Sequence, residues 1–94
     1  MAYKVTVTRN NAPEGRELTD AAMEVFHAYR TDGRILHDRS TALTETQSVV
    51  ELWFGSEADF TAYHEELQAL ESDFRVPGVE VVSVEFSEED VPAE

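Results

Sequence analysis

Histidine is the side chain whose ordinary pKa lies closest to neutrality, and this chain carries three, His27, His37 and His64. A mononuclear metal site needs two or three such ligands converging with carboxylates, and no two of these stand four residues apart. No metal site is expected. His27 and His64 fall beside apolar helical stripes and read as boundary residues. His37 differs, because it lies in a strand-like segment that pairs with the one carrying Glu51. A carboxylate there would orient the imidazole, so His37 is the acid–base candidate, a catalytic base only if the protein is an enzyme. Trp53 offers either an interface anchor or the wall of an aromatic-ligand pocket, and the anchor is preferred because tryptophan is enriched at interface hot spots. The chain has no cysteine, which excludes disulfides, thiolate metal sites and thiol catalysis. Its four glycines are scattered and form no phosphate loop, so no cofactor is expected.

The elements that must position these residues follow from periodicity. Residues 3–9 alternate with period two and predict a strand with Tyr3, Val5 and Val7 on one face. Residues 10–15 contain asparagine, proline and glycine and predict a loop. Leu18, Ala22, Val25, Phe26 and Tyr29 then mark one face of a helix over 20–31, with Thr19 as N-cap and Gly33 as the stop. Segments 34–42 and 47–54 flank a short connection and predict an antiparallel hairpin. In the second of them Val50, Leu52 and Phe54 share one face, and Gln47, Val49, Glu51 and Trp53 the other. Ser56 with Asp59 resembles a capping box, and Phe60, Tyr63, Leu67, Leu70 and Phe74 form the stripe of a second helix. Pro77 and Gly78 predict a turn before a last strand at 79–86, whose valines on both faces imply cover on both sides. Residues 87–94 predict a frayed acidic tail.

The order β-α-β-β-α-β predicts an α+β, ferredoxin-like domain over 1–86, with a four-stranded antiparallel sheet of order 4-1-3-2 and both helices on one face. The other face is then open. Parity places Thr6, Thr8, Gln47, Val49, Glu51, Trp53, Val79, Val81, Ser83 and Glu85 there. Either Ile35, His37, Arg39 and Thr41 or their neighbours join them, according to the register of the second strand. Trp53, Val49, Val79 and Val81 together are too apolar for a solvated surface, and such patches mark interaction sites. A 94-residue chain buries only about 60 to 65% of its unfolded surface. A homodimer packed through two open faces would enlarge its core. Glu51 and Glu85 would border the space between sheets, either satisfied internally through Arg39 or lining a ligand cavity.

Twenty acidic against seven basic residues give a formal net charge of −13. Such a field disfavours nucleic acid and anionic membranes as partners. It reads first as solubilising, then as adaptation to a salty cytoplasm, then as imitation of DNA phosphate. No apolar run approaches the roughly 20 residues of a membrane span, and the N-terminus enters strand-like sequence at once, so a cytoplasmic location is expected.

The segment Phe54-Gly55-Ser56-Glu57-Ala58-Asp59-Phe60-Thr61-Ala62-Tyr63-His64 resembles the dimeric α/β-barrel superfamily, which contains the antibiotic-biosynthesis monooxygenase-like domains. In these an aromatic residue ends the third strand before a serine-capped helix. Gly33-Arg34-Ile35 is also similar to a segment of small uncharacterised phage proteins. The resemblance covers residues 33–67. Family members often carry a carboxylate two residues before the terminal aromatic, where this chain has Leu52 and places its acid at Glu51. A one-residue shift reverses the facing of a strand side chain, so no catalytic role passes to Glu51 or Trp53.

The function expected first is that of a small homodimeric binding or assembly protein, acting on a protein partner or on itself through its open sheet face, without catalysis. Its interface or ligand residues would be Trp53, Glu51, Val49, Arg39, Val79, Val81 and Glu85. The resemblance implies the second, a cofactor-free monooxygenase or isomerase acting on a hydrophobic aromatic substrate, with His37 as base. The third is an acidic mimic that occupies a DNA-binding protein.

Overall fold

The computed structural model describes residues 1–11, 18–70 and 75–92. Alternating β-branched and polar residues make strand β1, Ala2–Asn10. Helix α1, Asp20–Asp32, begins where Thr19 Oγ1 accepts a hydrogen bond from the Ala22 amide at 3.4 Å. Gly33 stops it at a φ of 87°, with the Arg34 amide donating to the Tyr29 carbonyl at 3.0 Å. Strands β2, Ile35–Ala42, and β3, Gln47–Phe54, form the hairpin. Its turn is held by Thr44 Oγ1, which accepts from the amides of Thr46 and Gln47 at 3.2 and 3.0 Å. Ser56 caps α2, Glu57–Gln68, by accepting from the Asp59 amide at 3.2 Å, and β4, Glu80–Glu89, completes the chain.

The strands lie in the order β2-β3-β1-β4, every neighbouring pair antiparallel. Read from the other edge this is 4-1-3-2, the ferredoxin-like βαββαβ arrangement. Val5, Ile35 and Phe54 from one sheet face pack with Ala22 and Tyr29 of α1 and with Tyr63 and Leu67 of α2 in a single buried cluster. Tyr29 and Tyr63 meet edge to face at 5.2 Å between ring centroids, which joins the two helices.

Two slips of register decide which side chains reach which face. Between Ile35 and His37 the β2–β3 ladder skips Leu36. Ile35, opposite Phe54, therefore enters the core at 1% exposure, while His37, Arg39 and Thr41 face the open side. The β1–β4 ladder slips at Thr8/Arg9, so that Ser83 pairs with Thr8 and Val81 with Arg9. Val82 is the extra residue. Val81 thus shares the helix side with Arg9 rather than the open face expected of it, and Val79 precedes β4 and has no place in the ladder.

Other expectations are corrected as well. β4 is an edge strand, and Val82, Val84 and Phe86 are 50%, 42% and 52% exposed instead of covered. It also runs through Glu89, so Ser87, Glu88 and Glu89 are paired with Lys4, Tyr3 and Ala2 and are not frayed. Lys4 offsets the acid there, its Nζ lying 3.3 Å from Glu89. Helix α2 ends at Gln68, where the Leu70 amide turns back to the Leu67 carbonyl at 3.2 Å. Leu70 still packs against the core, whereas Phe74, the last residue of the expected stripe, lies outside the described residues, as do residues 12–17, which take in most of the loop expected at 10–15, and residues 93–94.

Candidate functional site

The open face is organised around one carboxylate. Arg39 and Glu51 are cross-strand partners on β2 and β3, and Arg39 Nε and Nη2 donate to the two Glu51 oxygens at 2.9 and 3.0 Å. Lys4, projecting from β1, brings Nζ to 2.9 Å of Glu51. The Arg39 guanidinium is the main cause that holds the Glu51 carboxyl down at about 2, against burial that would raise it, and Lys4 adds to the effect. Lys4 is in turn pushed above its ordinary value, chiefly by its hydrogen bond to Glu51.

Both cations lie over Trp53, with Lys4 Nζ 5.1 Å and Arg39 Cζ 5.4 Å from the ring. His37, the β2 partner of Trp53, places its imidazole 5.2 Å from the indole. Trp53 is 2% exposed in the single chain. It does occupy the open face, but it is covered by the chain's own side chains and presents no surface for an anchor. The sequence reading missed this because it counted Trp53 as apolar area without the long side chains that lie across it. With Val79 and Val81 elsewhere, the apolar patch expected on this face reduces to half-buried Val49. Glu85 is exposed across from Thr6 and borders a shallow depression with Lys4, Val49 and Glu51.

A second concavity, of similar volume and far more apolar in its lining, lies on the other side of the sheet, between the sheet and the helices. A cavity of about 580 Å³ is lined by Val5, Val7, Val50 and Leu52 from the sheet and by Met23, Phe26, Phe60, Tyr63 and Leu67 from the helices. Val84 and Phe86 of the edge strand form part of its wall. The helices lie mainly over β2 and β3, and Phe60 of α2 reaches across to Tyr3 of β1 and Phe86 of β4, at 5.8 and 5.4 Å between ring centroids. The size of the cavity is that of a small-molecule pocket, about 300 to 1,000 Å³.

The lining is apolar except for Arg9, Asp38, Ser40, His64 and Arg75 among the described residues. Arg9 is 4% exposed, its Nε donating to Ser48 Oγ at 3.0 Å and its Nη2 to Ser40 Oγ at 3.4 Å. Asp38 is paired with Arg30 of α1 at 3.2 Å. His64 stacks on Phe60 at 5.8 Å between ring centres. Arg75 is held near the start of α1 by an isolated bridge between its backbone and that of Leu18. Of these five only His64 was weighed from the sequence, as a boundary residue beside the α2 stripe. A signal existed for Arg9, since the parity that puts Val5 and Val7 under the helices puts Arg9 there too.

The structure therefore brings Glu51, Arg39 and Trp53 together with Lys4 and His37 on one face and builds its cavity on the other. His37 does not line that cavity. Among the described residues no group of three or more histidine, aspartate or glutamate side chains is placed to hold a metal ion, and no helix is long and apolar enough to cross a membrane. No protein-family model, curated protein or solved structure matches the chain.

Proposed function

We propose that this chain is a binding protein that holds a small apolar molecule between its helix layer and its sheet. One observation carries the reading: a cavity of about 580 Å³ walled by apolar side chains from both layers, in a chain small enough that every buried apolar contact matters. Catalysis by His37 gains no support from it, because His37 lies across the sheet from the cavity. The test is titration of the full chain with Nile red, a neutral apolar fluorophore, followed by its emission. Saturable binding at one site per chain is expected, weakened about tenfold by Val50→Phe, which fills the cavity from its floor. A signal that never saturates, or one that Val50→Phe leaves unchanged in a folded variant, overturns the reading.

A homodimer is a second reading, and one observation favours a place for it. Val82, Val84 and Phe86 expose apolar surface on β4, which is the edge strand of the sheet among the described residues. An antiparallel β4–β4 contact between two copies is self-complementary and covers these residues. Sedimentation equilibrium of wild type and Phe86→Lys decides it: a wild-type dimer that becomes a monomer is expected, and a monomeric wild type ends the proposal. The open face offers less, since Lys4, Arg39 and Glu51 satisfy one another and cover Trp53.

A further inference from the structure

We propose that the β4 edge binds an extended strand of a protein partner in which basic and apolar residues alternate, and that it prefers this strand to a second copy of the chain. The proposal is independent of the cavity. It names a different occupant for the edge that the homodimer reading gives to a second copy.

The two edges of the sheet differ. Among the described residues β2 pairs only with β3, and β4 only with β1. Strand β2 carries one acid and one base, and both are engaged: Asp38 pairs with Arg30 at 3.2 Å and Arg39 with Glu51 at 2.9 Å. The Leu36 carbonyl of β2 also accepts from Arg30 Nη1 at 3.0 Å. Strand β4 contains neither lysine nor proline, the residues that commonly blunt an edge, and beyond the slip at Val82 residues 83–89 keep an unbroken register with β1.

Cross-strand partners place its side chains. Val84 and Phe86 stand opposite Val7 and Val5 and so lie on the helix side, where Phe86 packs on Phe60 at 5.4 Å between ring centroids yet remains 52% exposed. Ser83, Glu85, Ser87 and Glu89, opposite Thr8, Thr6, Lys4 and Ala2, lie on the open side. A strand laid along this edge therefore meets apolar side chains with one set of alternate residues and acid with the other.

Charge selects the occupant. Of the ten residues of β4 four are acidic, Glu80, Glu85, Glu88 and Glu89, and none is basic. Glu89 is held by Lys4 at 3.3 Å, whereas the carboxylates of Glu80, Glu85 and Glu88 have no hydrogen-bond or ion-pair partner among the described residues. Two copies that match Val84 with Phe86 across a twofold axis set Glu85 against the same residue of the other copy. Like charges directly opposite destabilise a strand pair, and opposite charges stabilise it. Lysine or arginine in the incoming strand keeps the apolar match and replaces the contact of acid with acid by ion pairs.

The test is titration of the full chain near neutral pH with three labelled peptides: Lys-Val-Lys-Val-Lys-Val-Lys, its isomer Lys-Lys-Val-Val-Val-Lys-Lys of equal composition and charge, and the acidic Glu-Val-Glu-Val-Glu-Val-Glu. The alternating basic peptide is expected to bind one per chain and about tenfold tighter than its isomer, with no binding of the acidic one. Amide chemical-shift changes on binding are expected in β4, and Glu85→Lys is expected to weaken the alternating peptide about tenfold. Should Glu85→Lys not fold, the order of the peptides and the shifts decide alone. Equal binding of the two basic isomers reduces the effect to net charge and overturns the proposal, as do shift changes centred on another element or a folded variant that binds as wild type does. In sedimentation, a wild-type dimer that survives saturation with the alternating peptide overturns the preference over a second copy. A monomeric wild type that binds the peptide at β4 ends the homodimer reading and upholds this one.

Discussion

Arg39 and Glu51 face each other across the β2–β3 ladder in a two-bond pair at 2.9 and 3.0 Å, and Lys4 closes the same carboxylate from the neighbouring strand. The fold therefore favours the ionised carboxyl more than the unfolded chain does, and its pKa falls from 4.5 to about 2. A depressed carboxyl contributes stability that is complete above 4.5 and is lost as pH falls toward 2. Glu51 is 13% exposed but Arg39 is 43% exposed, so solvent screening limits the contribution to about 1 to 3 kcal/mol. Urea unfolding across this acidic range should show wild type losing stability more steeply than Glu51→Gln. Parallel curves for the two proteins would refute the assignment.

Trp53 is the only tryptophan, which makes its burial directly readable. Emission from the native protein should be blue-shifted and poorly quenched by acrylamide, and Arg39→Ala should shift it to the red by uncovering one side of the ring. Trp53→Ala should cost about 3 to 5 kcal/mol, the range of a buried aromatic rather than of a surface residue. A loss below about 1 kcal/mol, or free access of quencher in wild type, would place the ring in solvent.

Tyr29 is 1% exposed and donates its hydroxyl hydrogen bond to Glu66, while the Arg34 guanidinium lies 3.8 Å from its ring centre. Burial first, and the Glu66 carboxylate second, push the phenol up to about 12 from 10.0. The sign is opposite to that of Glu51: the stabilisation is complete below pH 10 and disappears as pH rises toward 12. Tyr29→Phe should lose about 1 to 2 kcal/mol at neutral pH and should become less sensitive to alkali. Phenolate absorbance provides the check, since the group titrating near 12 must vanish in the variant.

Gly33 has φ 87° and no heavy atom within 4 Å of where a Cβ would stand. Gly33→Ala therefore meets only backbone strain and should cost about 1 kcal/mol, with Gly33→Asn costing less. Gly55 is the contrast. A Cβ there would stand 2.9 Å from Asp59 Oδ2, the end of a side chain that can turn away, and its φ is not positive. Gly55→Ala should be the milder change by thermal denaturation, and the reverse order would show that Gly33 is not what stops α1.

What the sequence by itself determined is local. The alternation in β1, the Thr19 and Ser56 caps, the Gly33 stop and the change of period between strands and helices are carried by residues within a few positions of one another, and they suffice for the element order and the 4-1-3-2 sheet. The pair Arg39 and Glu51 was also legible as a possible internal satisfaction of the open face. Tertiary structure decided the rest, because a bulge is set by pairing with a distant strand and leaves no local mark. The slip at Leu36 chose the core for Ile35 and the open face for His37, and the slip at Val82 moved Val81 off that face. Parity counted past either bulge comes out inverted. The burial of Trp53 and the cavity at Arg9 likewise depend on which long side chains lie across a ring and on how two helices sit over a sheet, and both are properties of packing between elements.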